Sequence, residues 1–281
     1  MMSLRKALVA ATVCSLAASG AAWCQTSPSE TAPSSPPSVY KPTVGQSGKD
    51  VVWVPTSQAL VDRMLDMVKL TPQDRLVDLG SGDGRMVITA AKRGATARGI
   101  EFNPDMVELS RQAAKAEGVS DRARFERADI FQSDFSDATV VTLFLLPDLN
   151  LRLRPTLLNM KPGTRVVSNT FMMDDWEPDE SVQAVQGCGG HCSAHKWIVP
   201  AKVAGTWSLG DREMVLTQKF QKIEGSVRGK GGSAPITEGR IEGTRISFMV
   251  GNERYTGEIN GTAMQGKTER GTPWRARLRQ L

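Results

Sequence analysis

The sequence predicts a doubly wound α/β sheet with helices on both faces, followed by a small antiparallel β-meander domain. Three observations carry this. Leu76 to Lys92 reads as a strand, a glycine turn and a helix. Strand and helix patterns then alternate as far as Phe171, with Ala138 to Leu146 a continuous apolar run suited to a central parallel strand. Beyond Pro200-Ala201 come short alternating segments, with turns at Glu242-Gly243, Gly251-Asn252 and Asn260-Gly261.

The chain has 281 residues, 40% hydrophobic and 23% charged, enough for one large domain or two modest ones. Residues 1–24 read as a secretory signal: Arg5 and Lys6 precede an apolar stretch from Ala7 to Ala18, and small residues follow. The expected location is therefore periplasmic or secreted, with no stable transmembrane span after processing. A mis-called start would instead leave the protein in the cytoplasm. Residues 25–49, rich in Pro, Ser and Thr, read as a flexible linker. The α/β domain is expected over 50–200 and the β-rich domain over 201–281. Their charges differ: 17 Lys/Arg against 21 Asp/Glu in the first, 14 against 8 in the second.

Val51 to Pro55 starts folded structure. Thr56 or Ser57 caps a helix through Val68, with Leu60, Met64, Met67 and Val68 as its apolar stripe. A second strand ends at Glu101. Pro104 opens a helix with Met106, Leu109, Ala113 and Ala116 as its buried face, stopped at Gly118. A third strand leads to Asp129, Leu149 to Met160 is a short helix, and Thr164 to Phe171 a fifth strand. Ser181–Val185 and Lys196–Val199 form a closing hairpin, and Thr244–Val250, Arg254–Ile259 and Pro273–Leu278 are the clearest strands of the meander.

The turn Asp78-Leu79-Gly80-Ser81-Gly82-Asp83-Gly84-Arg85 discriminates between ligands. A dinucleotide site requires G-x-G-x-x-G, but Arg85 stands in the third glycine's place. Asp78 and Asp83 would also repel a pyrophosphate and attract a cation. S-adenosyl-L-methionine (SAM), with a sulfonium, an ammonium and no phosphate, suits them. Glu101 stands where such folds accept hydrogen bonds from a ribose diol, and Asp129 suits an adenine amino group. The candidate cofactor residues are Asp78, Gly80, Ser81, Gly82, Asp83, Gly84, Glu101 and Asp129, with no metal site.

From about Trp53 to Trp176 the chain resembles the class I SAM-dependent methyltransferases. Val54-Pro55-Thr56, the glycine turn, Gly99-Ile100-Glu101-Phe102-Asn103-Pro104 and Pro162 to Ser168 are similar to bacterial relatives of the mitochondrial protein-lysine methyltransferases. The resemblance implies a Rossmann-like methyltransferase sheet, a segment before it that closes over the cofactor, and a protein lysine as acceptor. Nucleobase amino-group methyltransferases often carry an Asn/Asp-Pro-Pro-aromatic tetrad after the fourth strand. Leu146-Pro147-Asp148-Leu149-Asn150 has one proline and no aromatic, so no nucleic-acid partner is expected.

That loop faces the transferred methyl, and Asp148 and Asn150 are candidates to take or orient the acceptor's proton. Asp148 serves equally as a helix N-cap. Asp174-Asp175-Trp176-Glu177 either lines a cationic substrate's entrance or is a solvated loop. Cys188 and Cys192, with His191 and His195, form a disulfide or free thiols before they form a metal site. Gly205-Thr206-Trp207 resembles, over three residues, the start of lipocalin-like barrels. Arg275, Arg277 and Arg279 share one strand face, as an anionic-surface site or an edge that discourages pairing. The leading reading is a SAM-dependent methyltransferase. The alternative is a non-catalytic envelope binding protein, with a SAM-fold domain and a β-meander recognition module. Composition names no oligomeric state.

Overall fold

A computed structural model describes residues 40–279; the expected leader and linker residues 25–39 lie outside the described residues. The α/β part runs α1 (Gln58–Met67), β1 (Arg75–Leu79), α2 (Arg85–Lys92), β2 (Thr96–Glu101), α3 (Pro104–Ala116), β3 (Ala123–Arg127), β4 (Val140–Leu143), α4 (Pro147–Leu158) and β5 (Arg165–Asn169). A hairpin of β6 (Glu180–Val182) and β7 (Ala194–Ile198) completes a seven-stranded sheet in the order β3-β2-β1-β4-β5-β7-β6. β1 to β5 are mutually parallel, and β7 joins β5 antiparallel. The order reverses between β1 and β4, and a crevice opens at such a reversal beyond the strands' carboxyl ends.

Helices cover both faces. Leu60, Met64 and Leu65 of α1, Met86 and Val87 of α2, and Val107 and Ala114 of α3 fill one side. Leu149, Leu153 and Leu157 of α4 fill the other. Ser57 caps α1, its side chain accepting the Leu60 N–H. On α3 the buried face is Met106, Val107, Ser110 and Ala114, shifted from the expected Leu109, Ala113 and Ala116. The shift has a polar cause. Ser110 is buried because its hydroxyl donates to the Gly82 carbonyl, tying α3 to the glycine turn.

Tyr40 to Lys49, expected as the end of a linker, is folded structure. The Gln46 amide donates to the Tyr40 hydroxyl, its oxygen accepts the Thr43 N–H, and Trp53 N–H donates to the Gln46 carbonyl. Polar side chains here satisfy the backbone, which low hydrophobicity alone does not reveal.

The remaining strands are β8 (Gly205–Leu209), β9 (Arg212–Lys219), β10 (Lys222–Gly229), β11 (Gly232–Glu242), β12 (Arg245–Val250), β13 (Glu253–Asn260), β14 (Ala263–Thr268) and β15 (Pro273–Leu278). They form a closed antiparallel barrel in which β15 pairs back onto β8. Trp207, Phe248, Tyr255 and Trp274 fill its interior. Closure overturns the reading of Arg275, Arg277 and Arg279 as an edge device, because β15 has a partner on both sides.

The barrel is seated on the sheet through the segment after β5. Trp176 is fully buried against Trp197 and Phe220. Glu177 pairs with Lys222 at 2.7 Å, its carbonyl accepts from the Gln221 amide, and Asp175 pairs with Arg154 and Lys219. These acids therefore belong to the seam and not to a substrate entrance. Among the described residues no helix is long and apolar enough to cross a membrane.

Candidate active site

The glycine turn sits between β1 and α2, and its shape is set by close approach. Gly82 has φ +53°, and a Cβ there would lie 2.7 Å from the Trp53 indole nitrogen. Gly84, at φ +82°, would drive a Cβ to 2.8 Å from Phe125 and from Ser110. Gly84 thus packs α2 against α3 and β3 and faces away from the crevice.

Two acids anchor the turn. Asp78 is buried at the end of β1, and its carboxylate accepts the Thr142 hydroxyl at 2.6 Å. Burial pushes its carboxyl up to about 7, against that hydrogen bond and with added repulsion from Glu101 and Asp83. No cation pairs with it among the described residues. Glu101, ending β2, accepts the Gly82 N–H through one oxygen and the Asn103 N–H through the other, each at 2.9 Å.

Asp78, Gly80, Ser81, Gly82, Asp83, Glu101 and Asp129 all line one cleft, whose empty volume with its open mouth is about 1080 Å³. Gly84, Asp148 and Asn150 are not in its lining. Two acids at the cleft are already engaged. Asp83 grips the Arg85 guanidinium with both oxygens, and Arg85 also donates to the Thr56 carbonyl. Asp129 accepts Lys49 Nζ at 2.7 Å and the Phe131 N–H; Lys49 leads the causes that hold its carboxyl below the usual range.

Asp148 is exposed in the first turn of α4 and does not cap it, since Leu146 is the N-cap residue. Pro147 at the first helical position already removes one N–H that a cap would serve. Asn150 is fully buried, and its amide donates to the Phe171 and Met172 carbonyls. It shapes the loop after β5 and does not face the cleft. The Cys188 and Cys192 sulfurs form a disulfide at the tip of the β6–β7 hairpin.

Lys49, Phe102, Asn103 and Met106 also line the cleft and are not among the candidate cofactor residues. Phe102 and Met106 carry a signal, since each follows the β2 acid closely. Lys49 carries none, standing at the end of a polar run.

The residues fit SAM on their own chemistry. The Ser81 hydroxyl is buried without a partner, Asp78 is a buried carboxyl lacking a cation, and Trp53 closes on a glycine that admits no side chain. This fold and this cleft define a class I SAM-dependent methyltransferase.

Comparison with known proteins agrees. Residues 78–180 match the family described as the ANTKMT methyltransferase domain. A protein-lysine N-methyltransferase of Saccharolobus islandicus is 41% identical over 50% of this chain and 89% of its own length. The adenine nucleotide translocase lysine N-methyltransferase of Mus musculus is 36% identical over 46% of this chain, which spans 56% of that protein. A Salinibacter ruber structure, described as an RNA methyltransferase in complex with S-adenosyl-L-homocysteine, is 45% identical. It covers 53% of this chain and 96% of its own, with a TM-score of 0.50. The chain belongs to this methyltransferase family.

Proposed function

We propose that the protein transfers the methyl group of SAM to the Nε amine of a lysine in a partner protein. The similar Saccharolobus and mouse proteins are named for lysine, and the Salinibacter structure for RNA. Charge favours lysine. Residues 50–200 carry 21 acids against 17 bases, whereas contact with a phosphate backbone calls for a basic surface. The identity to relatives named for lysine carries the reading.

When bound, SAM supplies an electrophilic methyl, which the amine's lone pair takes as the carbon–sulfur bonding pair leaves on sulfur. Asp78 and the Ser81 hydroxyl would face its charged end, Glu101 the ribose hydroxyls, and Phe102 the purine. Gly80 and Gly82 admit the ligand because no side chain intervenes. The acceptor amine must be neutral to attack. Asp148 lies outside the cleft's lining, so the amine's proton leaves to solvent, and the protein's contribution is alignment.

A labelling experiment tests this. The purified protein is incubated with methyl-labelled SAM and a cell extract, which is then split into protein and RNA. Label in protein, recovered after hydrolysis as methyllysine, is the expected outcome. Label confined to RNA defeats the proposal.

We also propose that the protein works outside the cytoplasm. The basic and apolar start of the sequence supports export, as does the Cys188–Cys192 disulfide, a bond favoured in oxidising compartments. Periplasmic fractionation with an antibody against the protein checks it; recovery wholly with cytoplasmic markers defeats it.

A further inference from the structure

Three rings gather at the carboxyl ends of β4 and β5, beside the cofactor cleft. Phe144 follows β4 and lines the cleft itself. Phe171 follows β5, with its ring centroid 6.3 Å from that of Phe144 and the planes 24° apart. His191, from the β6–β7 hairpin tip, lies 5.2 Å from Phe144 in an edge arrangement and 6.2 Å from Phe171. Leu146 and Met172, on the same two strand ends, are 46% and 42% exposed. An exposed apolar patch beside a catalytic cleft marks a binding surface.

The patch is built with some effort. His191 and Thr170 both have positive φ, 52° and 61°, the left-handed region that side-chain-bearing residues rarely adopt. The Thr170 N–H donates to the Ser193 carbonyl, tying the hairpin tip to the end of β5. Thr170 also donates its hydroxyl to Asn169, whose amide donates to Thr56 on the cleft wall. The Cys188–Cys192 disulfide closes the turn that carries His191, and at that tip a Cβ added to Gly187 would lie 3.7 Å from Ala59 at the start of α1.

We propose that Phe144, Phe171 and His191 form the subsite that receives the alkylamine chain of the acceptor, with the Cys188–Cys192 disulfide positioning His191 in it. The proposal rests on the lysine reading of the acceptor. The chemistry matches on both counts that matter. A lysine stem is four methylenes, which lie well against ring faces and the Leu146 and Met172 side chains. A neutral amine loses little by leaving water for such a surface, while a methylated ammonium is attracted to ring faces by the aromatic quadrupole. The same wall therefore holds the substrate and its partly methylated products. Cys188 and Cys192 are positioning residues, acting only through His191.

The test is a binding titration on the full chain saturated with S-adenosyl-L-homocysteine. The probes are Nε-trimethyllysine and norleucine, which has an uncharged stem. Wild type binds trimethyllysine about two- to thirtyfold more tightly than norleucine, the range of a cation over aromatic faces. Phe171→Ala and His191→Ala remove that preference, and His191→Phe keeps it. Cys188→Ser combined with Cys192→Ser reproduces His191→Ala, and adding the pair to His191→Ala changes nothing further, which a general loss of stability would not produce. Affinity for S-adenosyl-L-homocysteine stays unchanged throughout, showing that the variants fold.

Equal binding of the two probes by wild type overturns the proposal, as do ring variants that retain the preference. The lysine reading fails separately. If the extract yields no methyllysine while the trimethyllysine preference stands, the subsite survives and the acceptor changes. If methyllysine forms at an unchanged KM in the Phe171 and His191 variants, the subsite alone falls.

Discussion

The Glu101 carboxylate accepts the Gly82 N–H at 2.9 Å, bridging the end of β2 to the turn that follows β1. Its second oxygen takes the Asn103 N–H, just before α3 begins at Pro104. One side chain thus fixes three neighbouring pieces of backbone around the cleft before any ligand arrives. Preorganisation of this kind means that little has to be ordered on binding.

Asp78 makes cofactor binding depend on pH. Its native pKa is about 7 against roughly 3.9 in an unfolded chain. The folded apoprotein therefore holds the extra proton in that window, and its stability falls as pH rises from about 4 to about 7. A cationic ligand favours the ionised form, so SAM binds more tightly as pH rises through about 7 and a proton is released. Asp78→Asn should weaken SAM binding at pH 8 by roughly 1.5–3 kcal/mol and show a shallower pH slope than wild type. SAM's own amine contributes equally to both proteins. An unaltered slope in the variant contradicts this role for Asp78.

Gly82→Ala should separate cofactor binding from folding. The new methyl meets the Trp53 indole at 2.7 Å, and the positive φ costs about 1–2 kcal/mol. SAM affinity should drop at least tenfold and Trp53 fluorescence should shift, while far-UV circular dichroism stays that of the wild type. Wild-type affinity in this variant means that Trp53 does not close on the ligand.

Without an enzyme base at the amine, the methylation rate at saturating SAM should climb with pH from about 7 toward the ordinary lysine pKa near 10.4. Asp148→Ala should leave that profile within about twofold. A loss of about 10²-fold or more, the size expected on removing a general base, would restore Asp148 to the chemistry.

At the barrel seam, Trp176→Ala should destabilise the protein by about 3–5 kcal/mol, as large aromatic truncations in cores do. Trp176→Phe should be far milder. The Trp176 indole N–H is buried without a partner, and removing an unsatisfied donor offsets the lost volume. Chemical denaturation of the two variants gives the comparison. Equal losses would show that the ring's bulk alone matters.

The sheet and the cofactor end were legible in the sequence because they are local. Leu76 to Arg85 and the acid ending β2 lie close along the chain, and strand ends put them together. The substrate end was not, because it joins distant segments. Phe144 and Phe171 meet through the β4–β5 pairing, and His191 joins them through the β5–β7 pairing. Asp174 to Glu177 misled because its partners, Lys219, Phe220 and Lys222, lie more than forty residues on. Of the barrel, three strands had clear alternation; glycines in β10 and β11 and charged residues in all of β9 to β11 blur it. Closure depends on β15 meeting β8, a contact that no local pattern announces.

The central claim, that the cleft between Trp53 and Glu101 holds SAM, is tested most directly by calorimetric titration of SAM and of NAD into wild type and Glu101→Ala. Wild type should bind SAM and not NAD, and Glu101→Ala should lose roughly 1.5–3 kcal/mol of SAM binding. Tight NAD binding, or SAM affinity unchanged in a folded Glu101→Ala protein, would contradict the account.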